Sequence, residues 1–101
     1  MAYEVEWSPR AIEDVEAIAL YISIDSPAYS AAVVKKILDV TRRLSRFPFA
    51  GRVVPEFDDE TIREQFAYSY RVIYRIQGEN ITVAAVIHGK RLLELEMQPP
   101  Q

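Results

Sequence analysis

Tyr3, Val5 and Trp7 alternate with Glu4 and Glu6, the period-two pattern of a strand with one buried and one acidic face. The period then changes. Ser8-Pro9 can open a helix, because serine accepts from free N–H groups of the first turn and proline suits the first helical position. Ile12, Val15, Ile18, Ala19 and Ile22 form one apolar stripe at helical spacing. Asp25-Ser26-Pro27 ends this helix and starts a second, whose stripe is Val33, Ile37, Val40, Leu44 and Phe47. Two helices joined by so short a turn should lie antiparallel as a helical hairpin.

Phe47-Pro48-Phe49-Ala50-Gly51-Arg52 breaks the second helix, and Val53–Phe57 reads as a short edge strand containing Pro55. Asp58-Asp59-Glu60 is a turn. Thr61–Ala67 alternates again, with Ile62, Glu64 and Phe66 on one face and Arg63 and Gln65 on the other. Tyr70–Ile76 and Ile81–His88 are the clearest strands, rich in β-branched and aromatic residues around a turn at Gly78. Leu92–Met97 is a candidate closing segment, and residues 98–101 read as a tail after a single domain over 1–97. The order β-α-α-β-β-β predicts an α+β fold, with the helical hairpin packed on one face of a mostly antiparallel sheet.

Composition narrows the chemistry. The chain has 101 residues, no cysteine, one histidine and a net charge of −3. A thiolate nucleophile, a disulfide and a cysteine metal site are thereby excluded. The acidic balance argues against broad, nonspecific DNA binding, which relies on cationic contacts to phosphate. Lys35, Lys36, Arg42, Arg43 and Arg46 fit a solvated helix face, and Asp58-Asp59-Glu60 lacks the spacing of a calcium loop. No metal or cofactor is expected. The chain lacks an apolar membrane span and a signal-peptide pattern, which fits the cytoplasm.

The last hairpin holds the candidate site. With Gly78 and Glu79 at its tip, Tyr74 pairs with Val83, Val72 with Ala85 and Tyr70 with Ile87, all on one apolar side. Ser69, Arg71, Ile73 and Arg75 then share the other side with His88, Val86, Ala84 and Thr82. In this register Arg71 and His88 are diagonal neighbours, about 7–8 Å apart at the backbone. Together with Lys90 or Arg91 they would form a small cationic cleft for a phosphate or carboxylate, where a histidine can move a proton. An ordinary wet face of an antiparallel sheet has the same pattern. A slip of one residue would move His88 to the apolar side.

Read together, several segments resemble the RelE/ParE superfamily of toxins from bacterial type II toxin–antitoxin modules. These are Ser8-Pro9-Arg10-Ala11, Phe47-Pro48, Gly51–Glu56, Ile62-Arg63-Glu64, Tyr70–Arg75 and Val86–Leu93. The resemblance implies a toxin held by a cognate antitoxin, or a non-toxic relative that only binds that antitoxin, and for a toxin it offers two activities. RelE-like members cleave mRNA in the ribosomal A site, whereas ParE-like members poison DNA gyrase. Carried over from the RelE pattern, Arg71 matches the central arginine of the sheet and Arg91 the arginine after the last strand, with His88 as a substitute acid or base. Arg71, Arg75, His88, Lys90 and Arg91 are the candidate binding residues under either activity. Ile62 and Glu64 stand near the positions of the catalytic lysines, and Met97 near that of the terminal acid–base group. The resemblance therefore favours the ParE-like branch, with gyrase rather than ribosome and mRNA as target.

Overall fold

The structure is a computed structural model that describes residues 2–90. The expected closing segment Leu92–Met97, the tail and Arg91 lie outside the described residues. The elements are β1 (Glu4–Trp7), α1 (Pro9–Ser23), α2 (Pro27–Arg43), β2 (Arg52–Val53), β3 (Ile62–Ala67), β4 (Tyr70–Gln77) and β5 (Asn80–His88). They form a five-stranded sheet in the order β1-β5-β4-β3-β2. β1 runs parallel to β5, and the other neighbours are antiparallel. This is the expected α+β arrangement, with four strands after the helices where the predicted order β-α-α-β-β-β has three.

Both helices start by the same local chemistry. Ser8 Oγ accepts from the Ala11 N–H at 3.0 Å, and Ser26 Oγ accepts from the Tyr29 N–H at 3.1 Å. Each cap satisfies one otherwise orphaned donor, worth about 1 kcal/mol. Val33, Ile37, Val40 and Leu44 of the second stripe are buried against the sheet, as the 3.6 period requires. Phe47 departs from that expectation and is 60% exposed. α2 ends at Arg43, so Phe47 is no longer carried on the helical face. On α1 the fully enclosed residue is Ala11, while Ile12 is 47% exposed.

Tyr74 fixes the connection after α2. Its hydroxyl donates to the Pro48 carbonyl at 2.7 Å and accepts from the Gly51 N–H at 3.2 Å. The ring is fully buried, and burial raises the phenol above its ordinary pKa. Gly51 has no room for a side chain, because a Cβ there would collide with that hydroxyl and lie 2.6 Å from the Glu64 carbonyl oxygen. The expected edge strand Val53–Phe57 is shorter than the pattern suggested. Pairing stops at Val53, and Pro55–Phe57 turns over the sheet face opposite the helices.

That turn buries a second, smaller core. Val54, Ile62, Ile73, Ala85 and Ile87 cluster there with Phe57 packed against them. The face expected to be wet is therefore partly closed. The main core, between helices and sheet, contains Val72, Tyr74, Ile76, Ile81, Val83 and Val86.

Candidate functional site

The register of the β4–β5 hairpin decides which side chains can act together. It starts as expected, with Gln77 opposite Asn80, Ile76 opposite Ile81 and Tyr74 opposite Val83. Between Ile73 and Tyr74 the pairing shifts by one residue: Ile73 faces Ala85, leaving Ala84 as a β-bulge. Beyond the bulge Val72 faces Val86, Arg71 faces Ile87 and Tyr70 faces His88. The expected pairs Val72–Ala85 and Tyr70–Ile87 are therefore corrected, and so is the shared face. His88 lies on the helix side with Tyr70, and Arg71 lies on the opposite side of the sheet.

The bulge has a partner. Ser8 Oγ donates to the Ala84 carbonyl at 3.0 Å, and the Ser8 N–H donates to the Val83 carbonyl at 3.0 Å. The start of α1 thus fits where β1 leaves the edge of β5. Farther on, Asp14 Oδ2 accepts the Val86 N–H at 2.9 Å.

Arg71 is enclosed by acid. Its Nη1 and Nη2 donate to Glu56 at 2.7 and 2.8 Å, a bidentate fork, and its Nε donates to Glu64 Oε1 at 2.6 Å. Arg52 Nε holds the second oxygen of Glu64. The Arg71 side chain is 5% exposed and that of Glu64 is fully buried. Hydrogen bonding by Glu56 raises the Arg71 pKa further, against the opposing effect of burial. Two arginines and two glutamates thus form one charge-balanced network.

The other candidates are dispersed. Arg75 is on the Arg71 face but four residues along the strand, about 13 Å away. It lies near enough to Asp59 to help lower that carboxyl's pKa, although the Thr61 hydrogen bonds are the main cause. His88 is exposed, meets Tyr70 edge-on at 5.7 Å between ring centroids, and accepts the Lys90 backbone N–H at Nδ1 at 3.3 Å. Lys90 is exposed. Tyr70 lies on the apolar side as expected, and burial raises its pKa, with Tyr29 and Tyr21 adding to the effect. Tyr68 is 53% exposed and its ring meets Tyr29 at 6.0 Å. Among the described residues no group of three metal-ligating side chains is assembled.

The sequence pattern alone does not pair Glu56 with Arg71, and it offers Glu64 only as a departure from a catalytic lysine. The signal was present: an acid between Ile62 and Phe66 on an inward face needs a cation beside it.

Comparison with known proteins agrees with this architecture. The family model for the ParE toxin of the parDE type II toxin–antitoxin system matches residues 5–93. A chain from the chromosomal ParDE system of P. aeruginosa superimposes with a TM-score of 0.70 at 18% identity, covering 86% of this chain and 96% of that one. The RelBE2 toxin–antitoxin complex of Mycobacterium tuberculosis gives 0.60 at 22% identity, with coverage of 87% and 99%. The archaeal RelE–RelB complex of Pyrococcus horikoshii OT3 gives 0.62 at 14% identity, with coverage of 91% and 100%. At these identities the structural likeness concerns the fold. The search of curated proteins gave no match.

Proposed function

The chain belongs to the ParE toxin family of type II toxin–antitoxin systems, and from that premise we propose that it acts on DNA gyrase rather than by cutting mRNA. The observation that carries this reading is the enclosure of Arg71. Cleaving RNA through its 2′-hydroxyl builds negative charge on a five-coordinate phosphate, and donors aimed at that charge are the main means of catalysis. Here the central guanidinium already serves two carboxylates. A phosphate brought to it would add a third anion to a balanced network. His88 is on the other side of the sheet, so the two groups do not flank one scissile bond.

In this reading the toxin works by contact, and the exposed His88 and Lys90 are target-facing candidates in place of Arg71. A cognate antitoxin neutralises it in the cytoplasm, docking on the helical hairpin and on the edge near Val53–Phe57. The hairpin offers Leu20 and Ile24, 70% and 76% exposed, as apolar surface for that partner. The structural relatives from Mycobacterium tuberculosis and Pyrococcus horikoshii OT3 are themselves toxin–antitoxin complexes, which supports such a partner. No described helix is long and apolar enough to cross a membrane.

The test is induced expression with paired readouts. Inhibition of supercoiling by purified gyrase, with a DNA-damage response and continuing translation, is expected. Prompt translation arrest with A-site mRNA cuts and unaffected gyrase would overturn the proposal. So would an absence of toxicity from a folded chain that still binds its antitoxin, the behaviour of a non-toxic relative.

A further inference from the structure

The acidic balance of the chain does not extend to the turn after α2. Residues 40–55 contain Arg42, Arg43, Arg46 and Arg52 and no acid, within a chain of net charge −3. Asp39 takes Lys35 and Arg42, at 3.0 and 3.2 Å. Arg43 and Arg46 are exposed and make no ion pair among the described residues. Arg43 suits the negative end of α2, but Arg46 stands beyond the Leu44 cap and owes nothing to the helix.

Two aromatic rings accompany these cations. Pro48 is buried between Phe47 and Phe49, which are 60% and 56% exposed. The backbone that presents them is fixed from below. Tyr74 holds the Pro48 carbonyl and the Gly51 N–H. Arg63 donates to the Gly51 carbonyl at 2.9 Å, and its guanidinium lies 5.0 Å from the centroid of the Phe49 ring. This turn is ordered before any ligand arrives, which lowers the entropy lost on binding. Flat rings beside unpaired arginines match a strand of nucleic acid, whose phosphates meet the cations and whose unpaired bases stack on the rings. A helical peptide instead needs aliphatic side chains to pack on. Those are exposed at Leu20 and Ile24, at the opposite end of the helical hairpin.

We propose that the turn Arg43–Phe49 binds single-stranded DNA, with phosphates at Arg43 and Arg46 and bases on Phe47 and Phe49. It rests on the gyrase reading only for the source of the strand, the DNA on which that enzyme acts. Fluorescence anisotropy of a short labelled oligothymidylate with the full-length chain at low salt tests it without gyrase. Saturable binding is expected, weaker for a duplex. Phe47→Ala should lower affinity about ten-fold, and Phe47→Leu, which keeps bulk but no ring, should lose as much. Arg43→Gln with Arg46→Gln should flatten the slope of log affinity against log salt by about 1.4, two contacts at about 0.7 each. Lys35→Gln with Lys36→Gln removes the same charge elsewhere on α2 and should change little. Absence of saturable binding, indifference to both Phe47 variants, equal losses in the two charge-neutralised pairs or an equally tight duplex would each overturn the proposal. Tighter binding of oligouridylate would assign the turn to RNA, and displacement by polyglutamate at matched charge would assign it to an acidic protein; either result overturns it. Failure here leaves the supercoiling test untouched, and DNA binding without gyrase inhibition would defeat that reading alone.

Discussion

Replacing Arg71 by methionine should cost stability before it changes anything else. The substitution keeps an apolar stem near Ile73 and Ile87 but leaves Glu64, fully buried, with Arg52 as its remaining cation in the network. Removing one member of a buried ion pair costs about 3–5 kcal/mol, because the stranded charge stays desolvated. Two features place this case at the low end. Arg52 still holds one oxygen of Glu64, and the Glu56 side chain, 13% exposed, can turn toward water. A loss of about 3 kcal/mol, at a urea dependence of about 1.5 kcal/mol per molar, moves the unfolding midpoint down by about 2 M. The single tryptophan, Trp7 in β1, provides the fluorescence signal. Arg71→Met combined with Glu64→Gln should recover at least half of the loss, since the fully buried carboxylate is no longer charged, while Glu56 and Arg52 keep access to water. A midpoint unchanged in Arg71→Met, or a double variant no better than the single, would show that the network does not hold this face. The same experiment separates stability from toxicity: a folded but nontoxic Arg71→Lys variant would point to a guanidinium needed at a target.

Other consequences can be measured on the same footing. Gly51→Ala should destabilise by about 3 kcal/mol, the upper part of the overpacking range, because the new methyl meets a backbone oxygen that cannot turn aside; a neutral result in denaturant unfolding would contradict this contact. Tyr74→Phe strands the Gly51 N–H and the Pro48 carbonyl and should cost about 1–3 kcal/mol. Tyr74 also sets an alkaline limit. Its folded pKa is raised by burial, so its contribution is complete below the ordinary tyrosine value near 10 and is lost as pH rises through the folded value. Absorbance at 295 nm should therefore show late-ionising tyrosines, Tyr70 and Tyr74, with the late amplitude reduced by one residue in Tyr74→Phe, and a single early step for all tyrosines would contradict it.

Periodicity was a sound guide where one face of an element is buried against one partner. The stripe Val33–Leu44 and the alternation of Tyr3, Val5 and Trp7 each have one possible inside, and the structure uses it. The hairpin register was readable from the turn as far as Tyr74–Val83 for the same reason. It failed at Ala84 because the extra residue is accommodated by Ser8, far away in sequence, through a contact that no local pattern announces. The only local sign is Ala84-Ala85 itself, two small residues inside a run of β-branched ones. The polar appearance of the Arg71 face misled in another way. Counting charges suggested a cationic cleft, whereas the fold brings Glu56 over from a loop and Glu64 from the next strand. Charge partners across a sheet depend on topology, and composition does not contain it.

The Ser8–Ala84 contact spans 76 positions in the chain. It divides the hairpin in time as well as in space. From the Gly78 turn to Tyr74–Val83 the strands can zip together using neighbours close in sequence, a microsecond process for a hairpin. Past that point the register that the fold uses is the one in which Ser8 reaches the Ala84 carbonyl. In refolding, the first half of the hairpin should close early and the Tyr70–His88 end should follow when the opening strand docks. In pulse-labelled hydrogen exchange this order would appear as protection of Thr82, paired with Arg75 across the hairpin, ahead of Val86, whose N–H is held by Asp14 of α1, and simultaneous protection would exclude it.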